Sequence, residues 1–180
     1  MNAQKKGYRL DVKAFAQSGG ERSEEDRLSD YPRLFEEAGG RGADRPVRWQ
    51  AHGELRKPPG HAPQVWLHLQ AEAEVPLTCQ RCLEPVDETL AVDRWFRFVA
   101  DEAQAAAEDE EAEEDVLALD PAFDLQALVE DELLMALPLV PRHAVCPAPV
   151  PLQHADPGFE QAQADKPNPF GALAGLGRKT

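Results

Sequence analysis

The chain has 180 residues, of which 42% are hydrophobic, and a formal net charge of −14. Its length fits one domain with a sizeable core, so we treat residues 1–180 as a single domain. The acidic balance excludes a protein that binds nucleic acid through bulk positive charge, because such binding depends on Lys and Arg residues that displace counterions.

The sequence carries no sign of export or of membrane insertion. Charged residues interrupt the N-terminal segment up to Phe15, so a secretory signal is not predicted. The longest apolar run, Leu133 to Val140, is far shorter than the roughly 20 residues that span a bilayer. Three cysteines, an odd number, fit reduced thiols. We therefore expect a cytoplasmic protein that makes no membrane contact.

Two short elements are predicted near the N-terminus. Apolar residues alternate with polar ones from Tyr8 to Ala14, which predicts a strand. The polar stretch from Gln17 to Asp26 carries no such pattern. A short helix to Ala38 follows, because Pro32 suits a first turn and Gly39 can adopt the left-handed conformation that ends a helix.

The clearest signal in the sequence is a set of long strands. Apolar or small residues occupy every second position from Val47 to Leu55 and again from Val65 to Leu77. This pattern, with a loop between the two runs, predicts an antiparallel pair. A third run extends from Thr89 to Val99, and its alternation breaks near Arg94, which predicts a bulge.

An acidic segment follows the third strand. Residues 101–115 hold nine acidic residues and no basic one, and removing them changes the formal charge from −14 to −5. A segment of this composition cannot bury enough apolar surface to offset its ordering entropy. We predict a disordered or weakly helical flexible linker, which serves as a solvated spacer or, in the alternative, attracts a basic partner.

The best helix of the sequence comes after a brief strand predicted over residues 116–119. Asp124 suits its N-cap, and Pro138 ends it after Leu137. An apolar stripe at helical spacing should cover one face of the sheet. Glu132 falls inside that stripe, where a carboxylate is costly unless it is paired. It either reaches solvent at the sheet rim or makes a buried link to an arginine or to backbone N–H groups.

Residues 138–180 are a proline-rich tail. Eight of the 16 prolines lie between Pro138 and Pro169, so we expect an extended and irregular tail. The predicted fold class is α+β: an antiparallel sheet or a partly closed barrel of long strands, packed by one main helix, with an acidic disordered linker and the extended tail.

Two short clusters can supply metal ligands. Cys79 and Cys82 lie in a turn between two predicted strands, and His143 with Cys146 repeats the spacing sixty-one residues after Cys82. Structural zinc binds such groups in a tetrahedral set. Plain thiols packed in a turn are the commoner outcome, and structural zinc is the alternative. A redox pair is disfavoured, because no helix follows to stabilise a thiolate. Four other histidines are equally available as the fourth ligand: His52, His61, His68 and His154.

No catalytic motif is present. The sequence lacks a nucleophilic triad and a paired-carboxylate site, and the glycine-rich stretch from Gly39 to Gly42 lacks the Lys-Ser/Thr pair of a phosphate loop. We therefore expect neither enzymatic activity nor a small-molecule substrate.

Three blocks of the sequence resemble the YceD family of bacterial and plastid proteins. The first runs from Leu77 to Pro85 and contains Cys-Gln-Arg-Cys. The second runs from Leu128 to Pro141 and is followed by His143 and Cys146, and the third is Lys-Pro-Asn-Pro-Phe at residues 166–170. The blocks occur in the family's order over the C-terminal two-thirds of the chain, and the N-terminal third fits only by its general pattern.

The resemblance implies a cytoplasmic protein required for the accumulation of large-subunit (23S) ribosomal RNA, with no catalytic mechanism. It points to the four residues of the cysteine and histidine clusters. It also points to residues that would contact a partner or rRNA: Arg81, Glu130, Asp131, Glu132, Asn168, Pro169 and Phe170.

A basic ribosomal protein or a large-subunit assembly factor is the expected partner of this acidic chain. Weak contact with rRNA would use the best basic patch in the sequence, which comprises Arg41, Arg45, Arg48, Arg56 and Lys57. The competing hypothesis is a zinc-binding or thiol-based regulator that does not act on the ribosome.

Overall fold

The structure, a computed structural model, describes residues 8–60 and 62–148, together with residues 156, 158, 159 and 170. The chain divides into two compact units, residues 1–145 and 146–180. In the second unit, the Phe159 N–H donates to the Asp156 carbonyl (2.9 Å). The elements of the first unit are β1 (Arg9–Leu10), α1 (Val12–Gln17), β2 (Glu21–Arg27), a 3₁₀ turn (Leu28–Asp30), α2 (Pro32–Glu37), β3 (Pro46–Arg56), β4 (Gln64–Thr78), β5 (Pro85–Val99), α3 (Glu102–Asp109), β6 (Asp115–Ala118), β7 (Phe123–Asp124) and α4 (Leu125–Met135).

A five-stranded sheet in the order β2-β3-β4-β5-β6 is the framework of the fold. The three long strands pair antiparallel, and β4 aligns with β5 from Val65 opposite Phe98 to Thr78 opposite Pro85. β2 is antiparallel to β3, and β6 is parallel to β5. The predicted α+β class is confirmed. Within the described chain β2 and β6 do not pair, so the sheet is open and the barrel alternative is wrong.

Alternation along the strands gives the sheet an inner and an outer face. The inner face buries an apolar layer under α1 and α4, and α2 packs against α4. α1 can approach β3 closely because of Gly53, where a Cβ would lie 3.0 Å from the Ala16 backbone. The outer face is polar at its centre, and α3 covers its β5–β6 end by packing Ala105 with Val99 and Val116.

Two predictions for the N-terminal region are wrong. The strand expected over residues 8–14 is limited to the two residues of β1, because the Asp11 side chain accepts a hydrogen bond from the Ala14 N–H (2.9 Å) and starts α1. The patternless polar stretch forms β2 at the edge of the sheet. Its inward positions hold Arg22, Glu24 and Asp26, so no apolar alternation marked it as a strand.

The bulge predicted near Arg94 is also wrong. Pairing between β4 and β5 is continuous, with Arg94 opposite Leu69. Its guanidinium forms ion pairs with Asp115 and with Glu132. A charged residue therefore occupies an apolar register position without breaking the ladder, because its charge is paired.

The acidic segment is helical over α3, as one of its two predicted alternatives has it, and the prediction of a disordered linker is wrong. Asp101 caps α3 by accepting from the Gln104 N–H (2.9 Å). The buried Arg97 then donates to Glu108 (2.5 Å) and to Glu114 (2.6 Å), and its hydrogen bonds hold the pKa of Glu108 below the ordinary value. One arginine from the sheet thus supplies the ordering energy that the segment's own composition lacks.

The main helix forms as predicted, and so does the brief strand before it. The Asp124 side chain accepts from the Ala127 N–H (3.1 Å) at the start of α4, and β6 covers residues 115–118. Beyond α4, residues 138–148 contain no helix or strand. The rest of the predicted tail lies outside the described residues apart from positions 156, 158, 159 and 170. No helix in the described part of the chain is long and apolar enough to cross a membrane.

A buried carboxylate joins the N-terminal segment, β2, β3 and the start of α2. Asp26 is 6% exposed and accepts hydrogen bonds from the Tyr8 hydroxyl (2.5 Å), the Tyr31 hydroxyl (2.9 Å) and Trp49 Nε1 (2.9 Å). Burial, together with the carboxylate itself, raises the pKa of Tyr8 and of Tyr31 well above the ordinary value. Both hydroxyls therefore keep the protons that they donate at neutral pH.

We predict that Asp26→Leu lowers the free energy of unfolding by about 3 kcal/mol, because it leaves three buried donors without their acceptor. Asp26→Asn should cost about 1 kcal/mol, since its amide oxygen can still accept from Trp49 while its NH₂ donates to a tyrosine hydroxyl. Urea unfolding of both variants measures the difference. Equal losses for the two substitutions would contradict this role for Asp26.

Candidate metal centre

The turn between β4 and β5 holds Cys79 and Cys82. It is closed by two backbone hydrogen bonds of 2.9 Å, one from the Cys79 N–H to the Glu84 carbonyl and one from the Leu83 N–H to the Cys79 carbonyl. Leu83 adopts φ +64° and is the one described non-glycine residue with positive φ. Such a conformation is unfavourable for a residue with a Cβ, so the turn is held tightly by its surroundings.

The segment after α4 returns to this turn. The Gln80 N–H donates to the Pro141 carbonyl (2.9 Å), and the Arg81 guanidinium donates to the His143 carbonyl (2.9 Å). These bonds bring the imidazole of His143 to Cys82, with 3.3 Å between Nδ1 and Sγ. Two parts of the chain that are sixty residues apart in sequence thus form one polar cluster.

Four potential ligand atoms converge at this cluster. Those of Cys79, Cys82, His143 and Cys146 lie within 4.8 Å of one another, with Cys79 buried and the other three half-buried. Among the described residues, none of the three cysteines forms a disulfide. Of the five histidines, His143 alone joins a potential metal-binding group among the described residues, while His61 and His154 lie outside them. The pairing of the two clusters that the spacing indicated is confirmed as a juxtaposition.

The environment of Cys79 favours a thiolate. Burial raises the pKa of this thiol, but hydrogen bonds from the backbone N–H groups of Cys82, His143 and Arg81 and from the Cys82 side chain outweigh burial and lower it to about 5. A buried thiolate with several donors and neighbouring sulfur and imidazole ligands is the chemistry of a metal-binding turn. The cluster can therefore hold a metal ion.

Glu130, predicted as a partner contact, has an internal role. It is 6% exposed and accepts from the backbone N–H groups of Arg33 (2.7 Å) and Leu34 (3.3 Å) at the start of α2. Its second oxygen accepts from the Arg33 guanidinium (2.9 Å). The neighbouring Asp131 is exposed and pairs with the same guanidinium (2.6 Å). Glu130 thus joins α4 to α2 and presents almost no surface to a partner.

Glu132 pairs with an arginine, as one of its two predicted alternatives has it, but the link is buried only on the glutamate side, because the Arg94 side chain is 46% exposed. Glu132 is 9% exposed, and its carboxylate lies 3.6 Å from the Arg94 guanidinium. Burial raises the pKa of Glu132; Arg94 opposes that shift, and the charges of Asp115 and Asp131 add to it. Arg94 therefore offsets only part of the free-energy cost of burying the Glu132 carboxylate within the apolar stripe.

The predicted basic patch is not a free cationic surface. Its members make these contacts within the chain: Arg41 with the Pro76 carbonyl (3.1 Å) and Thr78 (2.8 Å), Arg45 with Glu74 (2.8 Å) and Asp87 (2.7 Å), Arg48 with Glu25 (2.7 Å), and Arg56 with Glu54. Lys57 is exposed. Three of these arginines are paired with carboxylates and the fourth is held by hydrogen bonds, which disfavours rRNA contact through these residues.

The remaining predicted partner contacts are Arg81, Asn168, Pro169 and Phe170. Arg81 is exposed and its guanidinium donates to the His143 carbonyl, and the Phe170 side chain is 70% exposed. Asn168 and Pro169 lie outside the described residues, so their contact role stays a prediction.

Sequence reasoning missed Asp26, Arg33 and Arg97, because a lone charged residue carries no local pattern that reveals a distant partner.

Comparison with known proteins gives a family for the chain. A family model described as "Large ribosomal RNA subunit accumulation protein YceD" matches residues 67–177. A Haemophilus influenzae protein named "Large ribosomal RNA subunit accumulation protein YceD" is 39% identical over 111 residues, which cover 61% of this chain and 64% of that protein. The match thus spans less than two-thirds of that relative's length. No solved structure matches the chain.

We predict that the stability difference between the wild type and Glu132→Gln depends on pH. A carboxyl group whose pKa is raised by folding binds its proton more readily in the folded state, so it stabilises the fold at low pH and this gain is lost as the pH rises through the folded pKa. Relative to Glu132→Gln, the wild type should therefore lose stability between pH 4.5 and pH 7.5. Urea unfolding across this range tests the prediction, with Glu36→Gln, an exposed site on α2, as the control. A constant difference would contradict it.

Proposed function

Because the chain belongs to the YceD family of large ribosomal RNA subunit accumulation proteins, we propose that it supports the accumulation of 23S ribosomal RNA without catalysing a reaction. In this proposal it acts by binding a basic ribosomal protein or a large-subunit assembly factor in the cytoplasm, and it takes no small-molecule substrate and contacts no membrane. The observation that carries the proposal is the family match, which extends from β4 through the metal cluster.

The distribution of charge supports a protein partner over direct rRNA binding. Four of the five residues in the predicted basic patch are engaged within the chain. Carboxylates, by contrast, remain at the surface of the acidic segment, where Glu110, Glu111 and Glu113 are exposed. Phosphate groups would be repelled there, whereas lysine and arginine side chains would be attracted.

We predict that depletion of the protein lowers the ratio of 23S to 16S rRNA and reduces the free large-subunit peak in a sucrose gradient, with the small-subunit peak retained. Expression of the wild-type chain should restore both measurements. If depletion leaves large-subunit levels normal but changes the response to metals or oxidants, the competing regulator hypothesis is correct and the ribosomal proposal is wrong.

We also propose that the metal cluster holds a structural zinc ion through Cys79, Cys82, His143 and Cys146. Three sulfur ligands and one imidazole form a closed set for this metal. Zinc–sulfur bonds of about 2.3 Å in a tetrahedron give ligand separations of about 3.8 Å, and the four potential ligand atoms already lie within 4.8 Å of one another. The ion would replace the contact between Cys82 Sγ and His143 Nδ1 and add to the hydrogen bonds from Gln80 and Arg81 that already hold the β4–β5 turn against the segment after α4.

We predict about one zinc ion per chain by metal analysis of protein purified with intact thiols. The double substitution Cys79→Ser and Cys82→Ser should abolish binding and lower Tm by roughly 10 °C, the effect of losing a ligand present at about a thousand times its Kd. His52→Asn, which alters a half-buried histidine outside the cluster, is the control and should retain the metal. Zinc-free protein with three free thiols would exclude the site.

A further inference from the structure

The centre of the outer sheet face forms a trough of about 820 Å³ across four strands. Strand register places its outward side chains in two parallel rows. The first row crosses the sheet as Glu25, Arg48, Glu72 and Ala91, and the second as Ser23, Gln50, Gln70 and Asp93. Among the described elements, helices cover the inner face, and α3 covers only the β5–β6 end of the outer face. The trough is therefore open to a partner.

A chain of hydrogen bonds organises the second row. The Gln50 amide donates to Gln70, and the Gln70 amide donates to Asp93 (2.7 Å). The other carboxylate oxygen of Asp93 bonds to His68 Nε2 (2.6 Å), and the His68 ring stacks on Trp95 at 4.3 Å. Linked polar groups that satisfy one another lose little entropy when a ligand binds. The floor of the trough is thus preorganised.

The trough carries a net negative charge. Arg48 is its one cation and pairs with Glu25 (2.7 Å), which leaves the charges of Glu72 and Asp93 to face an occupant. Hydrogen bonds from His68 and Gln70 hold the pKa of Asp93 below the ordinary value, so this carboxylate is ionised at neutral pH. A cationic occupant complements the surface, and a phosphate backbone does not.

The same sheet face already binds one arginine of its own chain. The Arg56 guanidinium lies 4.0 Å from the ring centroids of both Trp66 and Trp95 and pairs with Glu54. Carboxylate pairing together with stacking on indole rings is a favourable environment for guanidinium. Trp95 adjoins the second row through His68, so the trough continues a surface that is chemically suited to arginine.

We propose that this trough is the docking surface for an extended, arginine-rich segment of a protein partner. Successive same-side residues of an extended chain are about 6.8 Å apart, and neighbouring strands of a sheet are about 4.8 Å apart. Alternate arginines can therefore reach carboxylates on different strands. The inference rests on the proposed function, to which it adds the site and the chemistry of the partner.

A fluorescent 15-residue peptide that alternates arginine with glycine and serine is the probe, and its binding to the full chain is followed by anisotropy. The trough variant combines Glu25→Gln, Glu72→Gln and Asp93→Asn. The matched control, Glu36→Gln with Glu37→Gln and Glu84→Gln, makes the same change in net charge at exposed positions outside both the trough and the acidic segment. We expect the trough variant to bind about tenfold more weakly and the control to bind within about twofold of the wild type.

Equal losses in the two variants, or a loss confined to the control, would overturn the proposal. So would tighter binding of a 12-nucleotide single-stranded RNA than of the peptide, or a concentration-dependent dimer that the trough variant abolishes. Glu72→Lys alone provides a second test, because Glu72 is exposed and forms no ion pair among the described residues. If the triple variant does not fold, this single charge reversal must weaken peptide binding for the proposal to stand.

Complementation separates this inference from the proposed function. If depletion lowers 23S rRNA and the trough variant restores it as well as the wild type does, the docking surface is wrong and the ribosomal role stands. If depletion leaves 23S rRNA unchanged, the ribosomal role fails, whatever the peptide measurements show. Failure of the trough variant alone to restore 23S rRNA, with the matched control active, supports both.

Discussion

The antiparallel pairing of β4 with β5 is the constraint on which the other features depend. Fourteen residue pairs, from Val65 opposite Phe98 to Thr78 opposite Pro85, fix the register of the hairpin. Because side chains alternate between faces, a slip of one residue would expose its apolar face and bury its polar one. The turn of this hairpin forms the candidate metal centre, its middle forms part of the trough, and its far end supplies the arginine that orders α3.

Buried charged groups attach the remaining elements to the hairpin and its sheet. Asp26 gathers donors from the N-terminal segment, the start of α2 and β3, Glu130 joins α4 to α2, and Arg97 holds α3. Burying a charge costs free energy that its partners offset only when their geometry is good. These groups therefore determine where each element lies more than they add to the total stability.

The same internal pairing shapes the surface that remains for a partner. Most arginines of the sheet are engaged by carboxylates of their own chain, so little free positive charge is left on this face. Exposed carboxylates persist in the trough and on the acidic segment. For a member of a family named for ribosomal RNA, this balance supports the proposed indirect route to the RNA through a basic protein, and the proposed zinc ion would fix the hairpin turn.

The sequence by itself determined the three long strands, α4, the fold class, the family and the two clusters that meet at the candidate metal centre. These features rest on local signals: alternation of period two, an N-cap, a proline stop and short ligand spacings. Only the tertiary structure decided that residues 21–27 form a strand, that α3 is ordered, and that the basic patch is internally paired. The physical reason is that each of these outcomes depends on a charged or polar group meeting a partner on another element, and the free energy of such a meeting leaves no periodic trace in the chain.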